Sequence, residues 1–326
     1  MSVRPSRAAA PRDRTPRTAT LPAAGLAPAT EAPARLRVGI VGAGRVGAVL
    51  GAALIAAGHD VVAASGLSAA SAERAARLLP GVPLLPADEV VAASDLVVLA
   101  VPDDILAGLV TGLAETGAWR RGQLLFHTSG AHGLAVLAPA ERAGVLSLAL
   151  HPAMTFSGGP EDSQRLVAAP FGVTSRPEHR PVAETLVLEM GGEPFWVDEP
   201  DRGLYHAALV TGANHLVTLV AEAADLLRTA GVADPARVLT PLLTAALDNG
   251  LRRGDRGLTG PVSRGDVGTV AAHLSTLAER APSSVDAYVA LARRTTERAL
   301  AAGRLKAHEG APLLGLLDGA NEEAAR

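Results

Sequence analysis

The arrangement of apolar and polar positions divides the chain in two. From Leu36 onward, short apolar runs alternate with helical stretches, the rhythm of a parallel sheet wound with helices. Val38, Ile40 and Val41 predict a buried first strand, and the helix-forming run AVLGAALIAAG follows it. Further strands are predicted at 60–64, 82–85, 95–101, 123–127, 145–150, 166–174 and 194–197, with helices at 68–79 and 181–190. After Asp95 at its start, the run at 95–101 is continuously apolar, as in a central strand buried on both faces, and Pro102 ends it. Beyond Asp201 the period changes to that of helices. The pattern predicts one long helix over 202–230 stopped by Gly231, then helices at 235–249, 267–279 and 284–302. The expected organisation is a tail at 1–34, a Rossmann-like α/β dinucleotide-binding domain at 35–200, an all-α domain at 201–310 and a C-terminal tail at 311–326. Residues 1–34 are rich in Ala, Pro, Thr and Arg without periodicity, which predicts disorder. Their Arg-rich, acid-poor composition also suits a transit peptide, but the prolines resist the amphipathic helix that one needs.

At the end of the first predicted strand stands G-x-G-x-x-G, formed by Gly42, Gly44 and Gly47, where a strand must turn into a helix. In a dinucleotide site the first glycine permits the tight turn, the second admits the pyrophosphate and the third lets helix and strand pack closely. The N–H groups of the helix N-terminus then face the phosphates, with Arg45 and Val46 at its first positions. In open α/β sheets ligands sit beyond the carboxyl ends of the strands, which places Val101, Pro102 and Thr128 beside the same nucleotide.

Composition narrows the chemistry. A net charge of −3 and a pI near 6.3 give no basic field for nucleic acid or an anionic membrane. The absence of cysteine removes thiolate catalysis and thiolate metal sites, and it suits a cytoplasmic protein. No two histidines have i, i+4 spacing, so no metal is expected. The apolar runs are interrupted before the roughly 18 residues of a membrane span, so none is expected. Among 30 Lys and Arg residues the single lysine is Lys306, so a lysine-dependent mechanism has one candidate, far from the glycine motif.

Enzymes that use NAD commonly carry an acid about 20 residues after the first glycine to hold the ribose 2′-OH. Here the second strand runs into Ala63-Ala64-Ser65-Gly66-Leu67-Ser68 with no acid. Ser65, Ser68, Ser71, Arg74 and Arg45 can instead donate to a 2′-phosphate, which favours NADP over NAD.

Polar residues on the long helix and at strand ends supply the candidate chemistry. On a continuous α-helix His206 and Asn214 lie about 80° apart and share a face, whereas His215 points away. Asn214 and His206 are candidate catalytic groups with Thr211 beside them, and Ser129 and His151 are candidates at strand ends. Each has a plainer reading, as a satisfied core group or a strand-end cap. Arg264 and Asp266, in a glycine-rich loop, are candidate substrate contacts, with the Arg264 fork suited to a carboxylate, or they simply pair with each other.

The runs GIVGAGRVG, LAVPDD, HTSG, HPAMTF, YHAALVTGANHLVTL and LTGPVSRGD, in this order from Leu36 to about Leu300, resemble a bacterial family of uncharacterised oxidoreductases. Its members join a Rossmann-like domain to a helical domain of unknown function. The layout is more distantly similar to pyrroline-carboxylate reductase, ketopantoate reductase and the hydroxyisobutyrate dehydrogenase group. The resemblance implies nucleotide binding by Gly42, Gly44 and Gly47 and a substrate-binding role for Ser129-Gly130. It also implies a substrate turn at Thr211-Gly212-Ala213-Asn214. The lysine that the hydroxyacid enzymes carry on this helix is missing. The expectation is an NADPH-dependent reductase of a small, ketopantoate-like 2-oxo acid, homodimeric through its helical domain. The alternatives are a cyclic imine reductase and a non-catalytic nucleotide-binding sensor or assembly protein.

Overall fold

The computed structural model describes residues 35–324. The expected disordered tail at 1–34 lies outside the described residues. A seven-stranded sheet is built from β1 (Arg37–Val41), β2 (Asp60–Ser65), β3 (Leu96–Leu99), β4 (Leu124–His127), β5 (Leu146–Pro152), β6 (Pro170–Thr174) and β7 (Glu193–Trp196), in the order β2-β1-β3-β4-β5-β6-β7. Neighbours run parallel except β5 and β6, which pair antiparallel with His151 opposite Gly172 and Ala149 opposite Thr174. The helices of this domain are α1 (Arg45–Ala56), α2 (Ala69–Leu78), α3 (Ala87–Ala93), α4 (Asp103–Glu115), α5 (Ala138–Glu141), α6 (Glu161–Leu166) and α7 (Arg180–Glu189).

Alternate strand residues enter two separate cores. Val38, Ile40, Leu96 and Val98 pack against α1 and α7, while Val41, Val97 and Leu99 pack against α3 and α4. With helices on both faces the strands read as continuous apolar runs.

The second domain contains α8 (Arg202–Leu209), a π-helical turn (Val210–Asn214), α9 (His215–Thr229), α10 (Pro235–Arg253), α11 (Gly260–Ser263), α12 (Val267–Arg280), α13 (Val285–Ala301) and α14 (Ala307–Ala324). Its core joins Val270 and Leu274 of α12, Val289 and Ala292 of α13, and Leu313 and Leu317 of α14.

Four expectations are corrected. The C-terminal tail at 311–326 is largely helix α14, docked on the domain core. Gly310, in the first turn of this helix, serves close packing, since a Cβ there would sit 2.9 Å from a Leu300 methyl. The strand at 82–85 reduces to one bridge between Ala64 and Leu84. Of the strand at 166–174 only Pro170–Thr174 forms, because Leu166 ends α6 and Ala168 turns at φ 59°. The continuous helix at 202–230 contains the π turn, whose wider winding breaks the assumed 100° phase between His206 and Asn214. In addition, Glu199–Thr229 is long and apolar enough to cross a membrane, with a mean hydropathy of 1.3 over 18 residues and none of that window buried.

Leu313 and Leu317 are both fully buried. Leu317→Ala is therefore expected to lower the unfolding free energy by about 2–5 kcal/mol, read from urea denaturation. An unchanged midpoint would mean that α14 is not part of the folded core.

Candidate active site

The nucleotide turn follows from steric limits at its glycines. Gly42 has φ +98°, and a Cβ there would lie 2.5 Å from the Ala100 carbonyl oxygen. A Cβ on Gly47 would collide with the Gly42 carbonyl, whereas one on Gly44 would meet nothing within 4 Å. The turn is therefore closed at Gly42 and Gly47 and open at Gly44. Gly44 caps α1 without a side chain, and the first turn of that helix holds no acid. Its N–H groups thus face an open cradle suited to an anion, and the residues present fit a dinucleotide pyrophosphate.

Ser65 ties this turn to β2. Its carbonyl accepts from the N–H groups of Gly42 (3.2 Å) and Ala43 (2.7 Å), and its Oγ accepts from Gly42 N–H. Ser68 is the N-cap of α2, accepting from Ser71 N–H at 3.1 Å, with the two hydroxyls 2.9 Å apart. Arg45 is exposed, and Val46 packs its side chain into the core. Val101 and Pro102 lead from β3 into α4, and Thr128 N–H donates to the Leu99 carbonyl at 3.1 Å. The carboxyl ends of β1, β3 and β4 are thereby brought level.

A second cluster forms at the carboxyl ends of β4 and β5. His127 is fully buried. Its Nδ1 accepts from Ser129 N–H at 3.1 Å, so its Nε2 carries the proton and donates to the Gly133 carbonyl at 2.8 Å. Burial pushes its pKa down to about 4. Ser129 is 6% exposed, and its Oγ accepts from His132 N–H at 3.1 Å. At the far end of this loop the Glu199 carboxylate accepts from the N–H groups of Leu134 (2.6 Å) and Ala135 (3.0 Å).

Arg202 opens α8 and is 1% exposed. Its Nε donates to Thr174 Oγ1 at 2.7 Å, one Nη to the carbonyls of Ala149 and Gly172 at 3.0 Å each, and the other to the Ser129 carbonyl at 3.4 Å. None of these acceptors is a carboxylate, and burial draws its pKa down to about 10, so the group stays cationic at neutral pH.

One turn later Tyr205 places its hydroxyl 2.7 Å from His151 Nδ1. Burial raises the phenol to about 12. Burial first, then the charges of Arg202 and His206, lowers His151 to about 4. The His206 ring stands edge-on to His151 with centroids 6.3 Å apart. Both rings need Gly130, where a Cβ would lie 2.7 Å from His206 and 3.0 Å from His151.

The fold thus gathers Ser129, His151 and His206, together with Arg202 and Tyr205, which the sequence analysis left out of its site. A usable signal was present: a basic residue opens an apolar helix and a tyrosine follows at i+3, on the same face. Other candidates take plainer roles. The Ser129 hydroxyl accepts a hydrogen bond from His132 N–H within its own loop. Asn214 and Thr211 are exposed on the π turn, and Thr211 Oγ1 donates to the Ala207 carbonyl at 2.8 Å. Asp266 caps α12, accepting from Thr269 N–H and hydroxyl at 3.1 and 2.7 Å. The Arg264–Asp266 loop packs against the start of α14 and the residues before it, where a Cβ on Gly265 would sit 3.2 Å from the Glu309 carbonyl oxygen and 3.0 Å from Leu305. Among the described residues no group of His, Asp and Glu has the spacing to hold a metal ion.

His127 and His151 both have pKa values lowered from 6.5 to about 4. Between those values the unfolded chain binds protons that the native state refuses. Stability is therefore complete above about pH 6.5 and falls as pH drops toward 4. His127 alone should cost about 2 kcal/mol between pH 7 and pH 5. Urea midpoints at the two values, in the native chain and in His127→Gln, test this; an equal drop in both would clear His127 of the effect.

Residues 24–152 match the family model of a Rossmann-like domain, and residues 169–295 match that of a domain of unknown function, DUF2520. No curated protein matches the chain. Among solved structures, a Bacteroides fragilis protein assigned as an NADP oxidoreductase is 24% identical with a TM-score of 0.66, over 81% of this chain and 98% of that one. A Thermotoga maritima protein is 20% identical with a TM-score of 0.57, over 81% and 98%. An imine reductase from Myxococcus stipitatus, solved with NADP+, is 18% identical with a TM-score of 0.56, over 80% and 94%. At such identities the likeness is one of fold. The chain carries a Rossmann-like domain followed by a DUF2520 domain, the two-domain organisation that its motifs resemble.

Proposed function

We propose that the chain is an NADPH-dependent reductase acting on a C=O or C=N group of a small substrate, with Tyr205 as proton donor. The hydrogen bond of 2.7 Å between Tyr205 and His151, at the carboxyl end of β5, carries this reading. It supplies what the missing helix lysine leaves open. Support for the cofactor comes from the open cradle at Gly44, the absence of an acid after β2, and fold relatives that include an assigned NADP oxidoreductase and an imine reductase bound to NADP+.

When bound, the nicotinamide supplies the hydride. The chain supplies the proton and its control. A phenol held near pKa 12 is protonated at neutral pH, so Tyr205 can give its proton to the acceptor oxygen or nitrogen. A neutral His151 with its proton on Nδ1 donates to the phenoxide oxygen left behind, until solvent restores the phenol. His151 fits that task because its lowered pKa keeps it uncharged. A 2-oxo acid of the ketopantoate kind is the first acceptor in this reading and a cyclic imine the second. Binding of the nucleotide without turnover of either would favour the sensor reading.

The helical domain supports a homodimer. Leu204, Val217, Leu242 and Leu251 of α8 to α10 are 74%, 70%, 63% and 79% exposed. Apolar surface on this scale is stabilised by cover, and an isologous contact between two copies provides it. Light scattering at micromolar concentration should give twice the monomer mass, and a monomer would remove the dimer from the proposal.

Titration by nicotinamide fluorescence should show tighter binding of NADPH than of NADH. Tyr205→Phe should then lower kcat by about 10²–10⁴ while leaving the NADPH Kd unchanged. Asn214→Ala, exposed on the π turn, should cost much less. If Tyr205→Phe turns over normally, the proton comes from another group.

A further inference from the structure

One stripe of α9 is apolar apart from a single acid. Leu219, Ala223 and Leu226 recur at i, i+4 and i+7, and Glu222 falls among them at i+3. With Tyr288 and Leu291 of α13 and Pro261 and Val262 of α11, they line a cavity of about 290 Å³. Sites for small ligands begin at about this size, roughly 300 Å³. Leu219 and Leu291 are 42% and 49% exposed, so the apolar wall opens to solvent. The cavity lies within the helical domain and takes no residue from the His151 cluster.

The polar groups of this lining are hydrogen-bond acceptors. Glu222 is its one charged side chain, is half-buried and forms no ion pair among the described residues. Arg280 and Asp225 share an adjoining cavity with Glu222, but Arg280 donates to the Thr229 carbonyl at 2.8 Å and Asp225 pairs with Arg228. The Tyr288 hydroxyl lies 2.9 Å from His273 Nδ1, with the rings edge-on. Burial raises the Tyr288 pKa, so the phenol keeps its proton. A proton given to the imidazole nitrogen leaves the phenol oxygen free to accept. Thr259, also in the lining, stands at the N-cap of α11 without making the side-chain cap bond, so its hydroxyl is free as well. A carboxylate set in an apolar wall is stabilised by a cation, and a charge-assisted bond from an ammonium supplies one.

We propose that this cavity is a second ligand site, which binds a small amphipathic amine with its apolar body between α9 and α13 and its ammonium at Glu222. The Tyr288 oxygen is a further acceptor for the ligand's N–H groups. The site gives a task to the LTGPVSRGD run, whose Thr259, Pro261 and Val262 form one wall. It is separate from the reductase cleft and does not rest on the NADPH reading.

The test is calorimetric titration of the full chain at neutral pH with 2-phenylethylamine, its uncharged counterpart 2-phenylethanol and the anion 3-phenylpropanoate. The native chain should bind the amine about tenfold tighter than the alcohol or more, and the anion more weakly than either. Glu222→Gln should bring the amine down to the affinity of the alcohol, while alcohol binding and melting temperature hold. Tyr288→Phe should weaken the amine by a smaller factor. Ala223→Leu, which fills the cavity, should abolish binding of both; if that variant unfolds, Glu222→Gln decides. No binding of any of the three probes overturns the site. Equal affinities for amine and alcohol, or an amine affinity unchanged in Glu222→Gln, overturn the amine assignment. Amine binding that survives Ala223→Leu and is lost in Tyr205→Phe belongs to the reductase cleft, which overturns the second site and leaves the reductase reading intact.

Discussion

The structure depends on one buried cation. Arg202 is almost inaccessible, and its guanidinium is held by the carbonyls of Ser129, Ala149 and Gly172 and by the Thr174 hydroxyl. An isolated charge in such a place is costly unless its donors are met. Here the acceptors come from the β4 loop, β5 and β6, so the arginine joins three segments to the first turn of the helix that leaves the sheet. No carboxylate bonds to the guanidinium, although Glu199 acts on it through space. The positive charge reaches His151 and reinforces the effect of burial in keeping that ring neutral. One residue thus fixes the direction of α8, closes the sheet behind the site and sets the electrostatic background in which Tyr205 and His151 meet.

Most of the fold was legible in the order of apolar runs. Glycine spacing located the nucleotide turn, because Gly42 and Gly47 are required by backbone contacts within a few residues of chain. Local sequence was silent on what long-range contacts decide. The reversal of β6 leaves no mark on its apolar pattern, since an antiparallel strand covered on both faces reads like a parallel one. Helix α14 was hidden by its glycines and Pro312, residues that signal a break unless a neighbour such as Leu300 rewards the close approach.

The site shows the same division. Ser129, His151 and His206 stood out as candidates because they are polar groups at strand ends and on an apolar helix, and the fold brings them near one another. The angle between His206 and Asn214 was not legible because a π turn, invisible to a count of 100° per residue, intervenes. Arg202 and Tyr205 escaped notice because an arginine and a tyrosine at the start of a helix are ordinary, and only the register between β5 and β6 shows that they meet Ala149 and His151. The Asp266 carboxylate, read as a substrate contact or a loop pair, is used for a helix cap, a task that its position before α12 already suggested.

The antiparallel turn of β6 also acts as a ruler. His151 faces Gly172 and Ala149 faces Thr174, so α8 climbs alongside the strand from the carbonyl cage at Arg202 to the imidazole at Tyr205. Those steps are three residues on a helix, about 4.5 Å of rise, set against two on a strand, about 6.6 Å, with the side chains making up the difference. One residue added between Arg202 and Tyr205 would swing the phenol by about 100°. Length variation in this protein is therefore admissible before Glu199 or beyond the π turn, and the four positions from 202 to 205 form a segment whose spacing cannot drift.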